Sequence, residues 1–479
     1  MSRPHVVVVG GGVAGMAAAY TARKLAREAG AGLRITLIER DARLGGKVGT
    51  EVVDGCLVDT GPDAFLGQKP WALQLVRELG MEDEVIRPLQ RRFYMLIDGG
   101  LHEVPHELVS LVPTRPEALW KASFLSVAAK ARASAEGLQP PLRGQDDESL
   151  ASFMRRRFGS EFSQRFAEPL MGGVHAGNPD RMSMAGIYPM YWKMEQELGS
   201  VTKGILGMRA RSVLKPNAPP QSPFVALRGG MQRLIDRLEQ ALEGVEVRTR
   251  RSVDALEPCG GGVRVRLDDG DELTADAAVV TLPAFGTADL VAPFAPGAAD
   301  LLRAIPYAST AVASLAYRRS DIGDPLEGTG FLAPRPDPAS REPEAAITGC
   351  TWSSNKWEGR APEGIALMRA FMGYADHDAD VREKSEAELA QAAHGALAGL
   401  LRIGAAPVSA RVYRWLRAMP QYEVGHLGRI ARIEEELSAT PGIVTAGSAY
   451  RGVGIPDCVR QGQEAARTAL AAAGIGTKE

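Results

Sequence analysis

The chain has 479 residues, with 56 Lys and Arg against 58 Asp and Glu and a net charge of −2. That length exceeds one compact core and requires two or three domains, with room for a large cofactor and a separate cavity; the balanced charge excludes an overall drive toward nucleic acid. Four scattered cysteines, Cys56, Cys259, Cys350 and Cys458, form no C-x-x-C pair and no metal-type spacing, which points to free thiols in a reducing, cytoplasmic setting and to no metal.

Residues 5–9 are a β-branched run suited to a buried parallel strand. Gly10, Gly11, Gly12, Val13, Ala14 and Gly15 follow, and helix formers fill 14–29. In this setting Gly10 permits the tight turn, Gly12 lets backbone approach a pyrophosphate, and Gly15 allows close helix–strand packing. A basic start before an apolar stretch resembles a signal peptide superficially, yet glycines at that spacing have no role in a secretory segment. Residues 33–38 form a second strand-type run, and Glu39 stands 24 residues beyond Gly15, where a carboxylate accepts hydrogen bonds from both ribose hydroxyls. The unit is a dinucleotide site, and FAD and NAD both fit it this far. No run of about 18 or more apolar, glycine-poor residues occurs, so no transmembrane helix is expected.

Further along, Leu73, Val76 and Leu79 recur at helical spacing. From 98 to about 208 the texture is helical with irregular breaks. Residues 108–138 mix Leu, Trp and Phe with Lys and Arg, which reads as a core-packed subdomain with snorkelling basic side chains. The alternative is an interfacial face, from Glu107 to Arg132, that touches a membrane. Arg155, Arg156 and Arg157 read as a solvated helix face. Met231, Leu234, Ile235, Leu238 and Leu242 then share one side of a helix, and Val263, Val265 and Leu267 alternate before a turn at Asp269-Gly270. Residues 301–402 alternate strand-like runs with proline-rich loops and end in a long helix. The last block, 442–473, is a buried strand, a glycine-rich turn and an alanine-rich helix.

Residues 39–47, containing Arg43-Leu44-Gly45-Gly46, resemble the second fingerprint of the amine oxidase and desaturase flavoprotein superfamily. There the amides of two adjacent glycines, with an arginine, close over phosphate and ribityl, which favours FAD. Residues 58–65 (VDTGPDAF) resemble the loop alongside the isoalloxazine. LRGGM resembles the start of the second βαβ-like segment. Residues 446–466 resemble the segment where a helix N-terminus binds the pyrophosphate, with Ser448 where Asp or Asn is frequent. The resemblance implies one non-covalent FAD per chain, contacted by Gly10, Gly11, Gly12, Val13, Ala14, Gly15, Glu39, Arg40, Gly46 and Lys47. It extends to Gly61, Pro62, Asp63, Ala64, Val253, Gly447, Ser448, Val453, Gly454 and Ile455.

Within the superfamily, four stretches resemble the protoporphyrinogen oxidase family: Arg92-Phe93-Tyr94 with GLHEVP soon after, residues 168–184 (EPLMGGVHAGNPDRMSM), GFLAP at 330–334, and Met419-Pro420-Gln421-Tyr422 with Gly425-His426. This implies oxidation of protoporphyrinogen IX to protoporphyrin IX in heme biosynthesis, six electrons in three steps, with oxygen reoxidising the flavin to give hydrogen peroxide. Coproporphyrinogen III, with two more propionates, is the alternative substrate, and an amine oxidase or carotenoid desaturase the more remote one. By the matching positions, Arg92 pairs with a propionate, Leu332 and Phe371 sandwich the macrocycle, and the loop from Gly172 to Gly177 lines the cavity. Hydride is expected to pass from a meso carbon to flavin N5 with no catalytic side chain, so His175 and His426 stay structural. The expected partners are a porphyrinogen and molecular oxygen, with peripheral contact at the inner face of the cell membrane and a homodimer as further options.

The expected architecture is α/β, α+β overall. It has a discontinuous Rossmann-type FAD domain (1–94, 206–300 and 405–479), a substrate domain with a mixed sheet (301–404), and an inserted helical, membrane-associating subdomain (95–205).

Overall fold

The computed structural model describes residues 3–108, 111–113, 116–213, 222–335 and 342–476. At its centre is a five-stranded parallel sheet, in the order Glu246–Thr249, Arg34–Glu39, His5–Val9, Ala277–Val280, Ile443–Thr445. Every residue of His5–Val9 is buried, as a strand covered on both faces requires. Helices Val13–Glu28, Gln232–Ala241 and Ile455–Ala472 pack one face through Met16, Ala17, Leu234, Leu238, Ala465 and Ala469. The first and last of these touch backbone to backbone: a methyl on Gly462 would lie 2.2 Å from the carbonyl oxygen of Ala14. An antiparallel meander, Val253–Cys259, Gly262–Leu267 and Glu272–Ala275, covers the other face with Leu256, Val263, Val265 and Leu267.

A second sheet of seven strands runs Ser409–Pro420, Tyr307–Arg318, Ile365–Met372, Gly349–Trp352, Gly330–Leu332, Tyr94–Ile97, Gly100–Glu103. It is antiparallel except where Gly330–Leu332 meets Tyr94–Ile97. The sheet therefore draws strands from 94–103 and 409–420, outside the 301–404 expected from sequence. Backbone groups at a strand edge pair wherever a partner lies, and local periodicity carries no trace of that. Helix Glu386–Leu401, opened by a Ser385/Glu388 capping box, buries Leu389, Ala393, Leu397 and Leu401 on one face of this sheet. The other face looks toward the parallel-sheet domain and the helices.

The helical region surrounds its own core of Phe153, Phe158, Phe162 and Phe166. The expectation of a solvated Arg155–Arg157 face is corrected here. Arg157 is fully buried, paired with Glu136 and lying 3.4 Å from Glu195, and Arg156 bridges Glu148 at 2.7 Å and Glu195 at 2.6 Å. The acids that neutralise these two arginines lie 8 to 39 residues away, outside the helix that carries the run, so the run alone reads as solvent-facing. Of the segment expected to touch a membrane, residues 109–110 and 114–115 lie outside the described residues. Leu108, Leu111, Val112, Leu119, Phe124 and Leu125 are core, while Trp120 and Val127 are exposed. Among the described residues no helix is long and apolar enough to cross a membrane.

Candidate functional site

Gly10–Gly15, Glu39 and Gly447–Ile455 all follow or stand at the carboxyl ends of strands of the one parallel sheet, where open α/β sheets bind ligands. A methyl on Gly15 would lie 1.9 Å from Gly10 O, so helix and turn are in contact, whereas a methyl on Gly12 meets no atom within 4 Å. Helix Val13–Glu28 starts with neither a side-chain cap nor an acid in its first turn. Helix Ile455–Ala472 likewise has Gly454 at its cap and no capping side chain. Both N-termini lack a side-chain cap and so offer free amides and positive dipole ends to a pyrophosphate; the second also carries Asp457 in its first turn, neutralised by Lys69 at 2.6 Å.

Glu39 accepts from Gly11 N at 2.6 Å and Asp41 N at 2.8 Å, which fixes its buried carboxylate at the end of the second strand. Arg251 N donates to Glu39 O at 3.0 Å and brings the strand beginning at Val253 beside it. Arg43, the arginine of the double-glycine motif, donates to the carbonyls of Leu44, Gly46 and Val48 at 3.1, 2.8 and 2.9 Å. That folds the loop so that Gly45 N reaches Gly11 O at 2.8 Å and Gly46 lies against Gly12. Arg40, expected at the cofactor, is 77 % exposed beside Asp41. On the C-terminal side, the Tyr422 hydroxyl donates to Ser448 O (2.7 Å) and accepts from Gly452 N (2.8 Å). It thus holds the loop carrying Ser448, Val453 and Gly454. Its ring stacks on His426 at 3.9 Å, and His426 Nε2 hydrogen-bonds Tyr450 O at 2.9 Å. Burial pushes the His426 imidazole down to about 4, so it is neutral at pH 7. Burial likewise keeps Cys458 a thiol, its pKa pushed up to about 12.

Gly61 packs against the chain of the double-glycine loop, since a methyl there would lie 2.0 Å from Lys47 O. Lys47 is lowered by desolvation and bonds Ala418 O. Asp63, expected at the cofactor, gives its carboxylate to the protein instead: Trp357 Nε1 at 2.9 Å, Lys356 Nζ at 3.1 Å and Arg369 at 3.6 Å. These cations hold it well below the usual carboxylate range despite its burial. Arg369 also bonds Gly61 O and lies 5.7 Å from the Phe371 ring. The loop Gly61–Ala64 is thereby pinned to the second sheet. Sequence reading missed Arg369, Lys356 and Trp357, along with the 2.6 Å ion pair of Lys69 with Asp457, because each partner lies some 300 or more residues from the group it serves.

The structure brings Leu332 and Phe371 together on one face of the second sheet. Each pairs with Gly349 from opposite sides, leaving a slot without a side chain between them. Two strand spacings set their backbones about 10 Å apart. The segment from Gly172 to Gly177, expected as a loop, is the last turn of helix Glu168–His175 and its cap, with Gly177 N donating to Gly172 O at 3.1 Å; it lies over these strand ends, and a methyl on Gly173 would stand 2.9 Å from Leu332 Cδ2. His175 lies edge-on to Tyr188 and is lowered to about 4 by burial. Arg92 is not brought to this face. It is half-exposed and paired with Glu327 and, at 3.7 Å, with Glu103, which compensate its charge.

A parallel dinucleotide sheet whose cofactor loops abut a second, substrate-type sheet defines a FAD-dependent oxidoreductase. The chain belongs to the flavin containing amine oxidoreductase family, whose model matches residues 13–470, and its cofactor is FAD. It is 35 % identical over 470 residues to "Coproporphyrinogen III oxidase" of Bacillus subtilis (strain 168), covering 98 % of each chain. It is 28 % identical to "Protoporphyrinogen oxidase 1, chloroplastic" of Arabidopsis thaliana, covering 96 % of this chain and 87 % of that one. Among solved structures, one from Exiguobacterium sp. 255-15, whose name proposes a protoporphyrinogen oxidase, superposes with a TM-score of 0.83 at 33 % identity, covering 97 % of this chain and 98 % of that one. Reduced UDP-galactopyranose mutase, at 15 % identity and a TM-score of 0.72, shares the fold.

Proposed function

We propose that this protein oxidises coproporphyrinogen III to coproporphyrin III, with one non-covalent FAD per chain and molecular oxygen as the final acceptor. One observation carries the choice of substrate. Full-length relatives at 35 % identity from two organisms bear the coproporphyrinogen oxidase name, whereas the plant protoporphyrinogen oxidases stand at 28 and 26 %. This reverses the preference drawn from motifs, which the two substrates' enzymes share because the reacting macrocycle is common to both.

Six electrons and six protons leave the porphyrinogen in three two-electron steps, and three oxygen molecules become three hydrogen peroxide. When bound, FAD supplies the two-electron acceptor. The protein's part is to bind and orient. The two helix N-termini and Glu39 would hold the dinucleotide, and Asp63 with Arg369 would fix the loop Gly61–Ala64. Leu332 and Phe371 would grip the macrocycle from either side of Gly349. The test is the appearance of porphyrin fluorescence from coproporphyrinogen III and from protoporphyrinogen IX, compared by kcat/KM. A clear preference for coproporphyrinogen is expected; equal or greater efficiency with protoporphyrinogen overturns the choice.

A further inference from the structure

Where the end of helix Glu168–His175 meets the edge of the second sheet lies a crevice lined by Pro169, Gly172, Gly173, Ala333, Thr348 and Tyr374. It opens beside the Leu332–Gly349–Phe371 slot: Gly173 abuts Leu332, Thr348 precedes Gly349, and Thr348 N donates to Phe371 O at 2.8 Å. Two charged residues complete its wall, Glu168 and Arg335. Glu168 is neutralised by a two-pronged contact with Arg155, at 2.9 and 3.0 Å, and by the Ser163 hydroxyl at 2.9 Å. Arg335 is exposed at the mouth, its guanidinium 5.7 Å from the Tyr374 ring centre, and no ion pair joins it to a carboxylate among the described residues. The crevice itself is tight, about 10 Å³ and so room for no more than one water; what it offers a ligand lies at its mouth, a guanidinium that no described carboxylate pairs. A guanidinium so placed can meet, from outside the crevice, a carboxylate carried by a macrocycle seated at the neighbouring slot.

Its position distinguishes it from Arg92. The strands Tyr94–Ile97 and Gly330–Leu332 run parallel, with Met95 opposite Leu332. Arg92 lies three residues before that pair and Arg335 three residues after it, so at about 3.3 Å per residue they mark opposite ends of the strand pair, on the order of 20 Å apart. A tetrapyrrole with propionates along one edge only reaches toward one of these ends. One with propionates on opposite edges reaches toward both.

We propose that Arg335 binds a propionate that coproporphyrinogen III carries and protoporphyrinogen IX lacks, and so sets the substrate preference. This rests on the porphyrinogen reading above. The experiment uses the FAD-loaded enzyme with Arg335→Gln and Arg335→Lys, steady-state kinetics on both porphyrinogens, and titration with the product coproporphyrin III followed by its fluorescence. Arg335→Gln should raise KM for coproporphyrinogen, and Kd for coproporphyrin, on the order of tenfold, with kcat and FAD content held and KM for protoporphyrinogen within about twofold of the parent. Lysine should recover part of the loss, since a point charge replaces a planar fork. With the tetramethyl ester of coproporphyrinogen, parent and Arg335→Gln should converge, a comparison that also separates charge recognition from any fault of folding. Equal losses on both porphyrinogens, no loss on either, or an undiminished difference with the ester overturns the proposal. A parent enzyme that oxidises neither porphyrinogen overturns the functional reading itself, a separate result.

Discussion

Asp63→Asn is the substitution whose outcome the structure defines most closely. The asparagine keeps the shape of the side chain and an acceptor for Trp357, but it removes the anion that Lys356 and Arg369 face. Exposures of 16, 15 and 2 % for Asp63, Lys356 and Arg369 leave little water to take its place. Removing one member of a buried ionic group costs about 3 to 5 kcal/mol. Arg369 stands at 3.6 Å, outside hydrogen-bond contact, and Lys356 keeps some solvent, so the lower end, about 3 kcal/mol, is expected. The measurement is the guanidinium unfolding midpoint at pH 7, followed by far-ultraviolet circular dichroism and by flavin fluorescence. Adding Lys356→Met removes the stranded cation, so the double variant should lose at least about 1 kcal/mol less than the sum of the singles. The folded carboxyl has a pKa below its unfolded value of 3.8. Its contribution is therefore complete above that value and is lost as pH falls through it toward the lower folded pKa, so Asp63→Asn should flatten the acid limb of the stability curve below pH 3.8. A variant within about 0.5 kcal/mol of the parent, with an unchanged acid limb, would refute the clamp.

Gly12→Val should fold normally yet purify without FAD, because its φ of −70° and ψ of 177° suit any residue and the space before it is open; Gly15→Val, whose side chain meets Gly10 O, should also lower the melting temperature, and absorbance at 450 nm with a thermal melt separates the two. Arg157→Met takes the cation from the buried Glu136, while Glu195 keeps Arg156 at 2.6 Å, and should cost about 3 kcal/mol, read as faster amide exchange in Leu150–Phe158 with little change in the parallel sheet. His426 is neutral and buried, with a folded pKa of about 4 against 6.5 unfolded. The unfolded chain takes the proton first, so stability should fall as pH drops from 6.5 toward 4, and His426→Gln should remove part of that slope.

Local patterns made much of the first domain legible. The valine run, the spaced glycines and Glu39 define a strand, a turn and an acid within forty residues, and their geometry depends on near neighbours. Leu332 and Phe371 were legible through the resemblance, although their true relation, two side chains flanking Gly349 on one sheet face, needed the register. Arg40 and Arg43 show the limit: both stand near the double glycine, and only the folded loop tells which guanidinium turns inward to three carbonyls. The surroundings of Arg157 and of Asp63 are hidden in the sequence for a shared reason. A charge reads as solvated or as ligand-facing until its counter-ions are located, and Glu136, Glu195, Lys356 and Arg369 come from elsewhere in the chain.

The backbone contact of Gly462 with Ala14 sets an order of events during synthesis. Helix Val13–Glu28 emerges first, but the helix that covers it, Ile455–Ala472, follows roughly 430 residues later. At about 5 to 20 residues per second that is a wait of roughly 20 to 90 s. Throughout it, the alanine-rich flank of the first helix has no lasting cover, and the second uncapped helix end is not yet available to the cofactor. Nascent chains halted before residue 455 should therefore retain no FAD on the ribosome and should bind holdase chaperones through that flank, while release of the full chain triggers flavin capture. Flavin capture would then wait on helix Ile455–Ala472, well after the fingerprint that first signals it has left the ribosome.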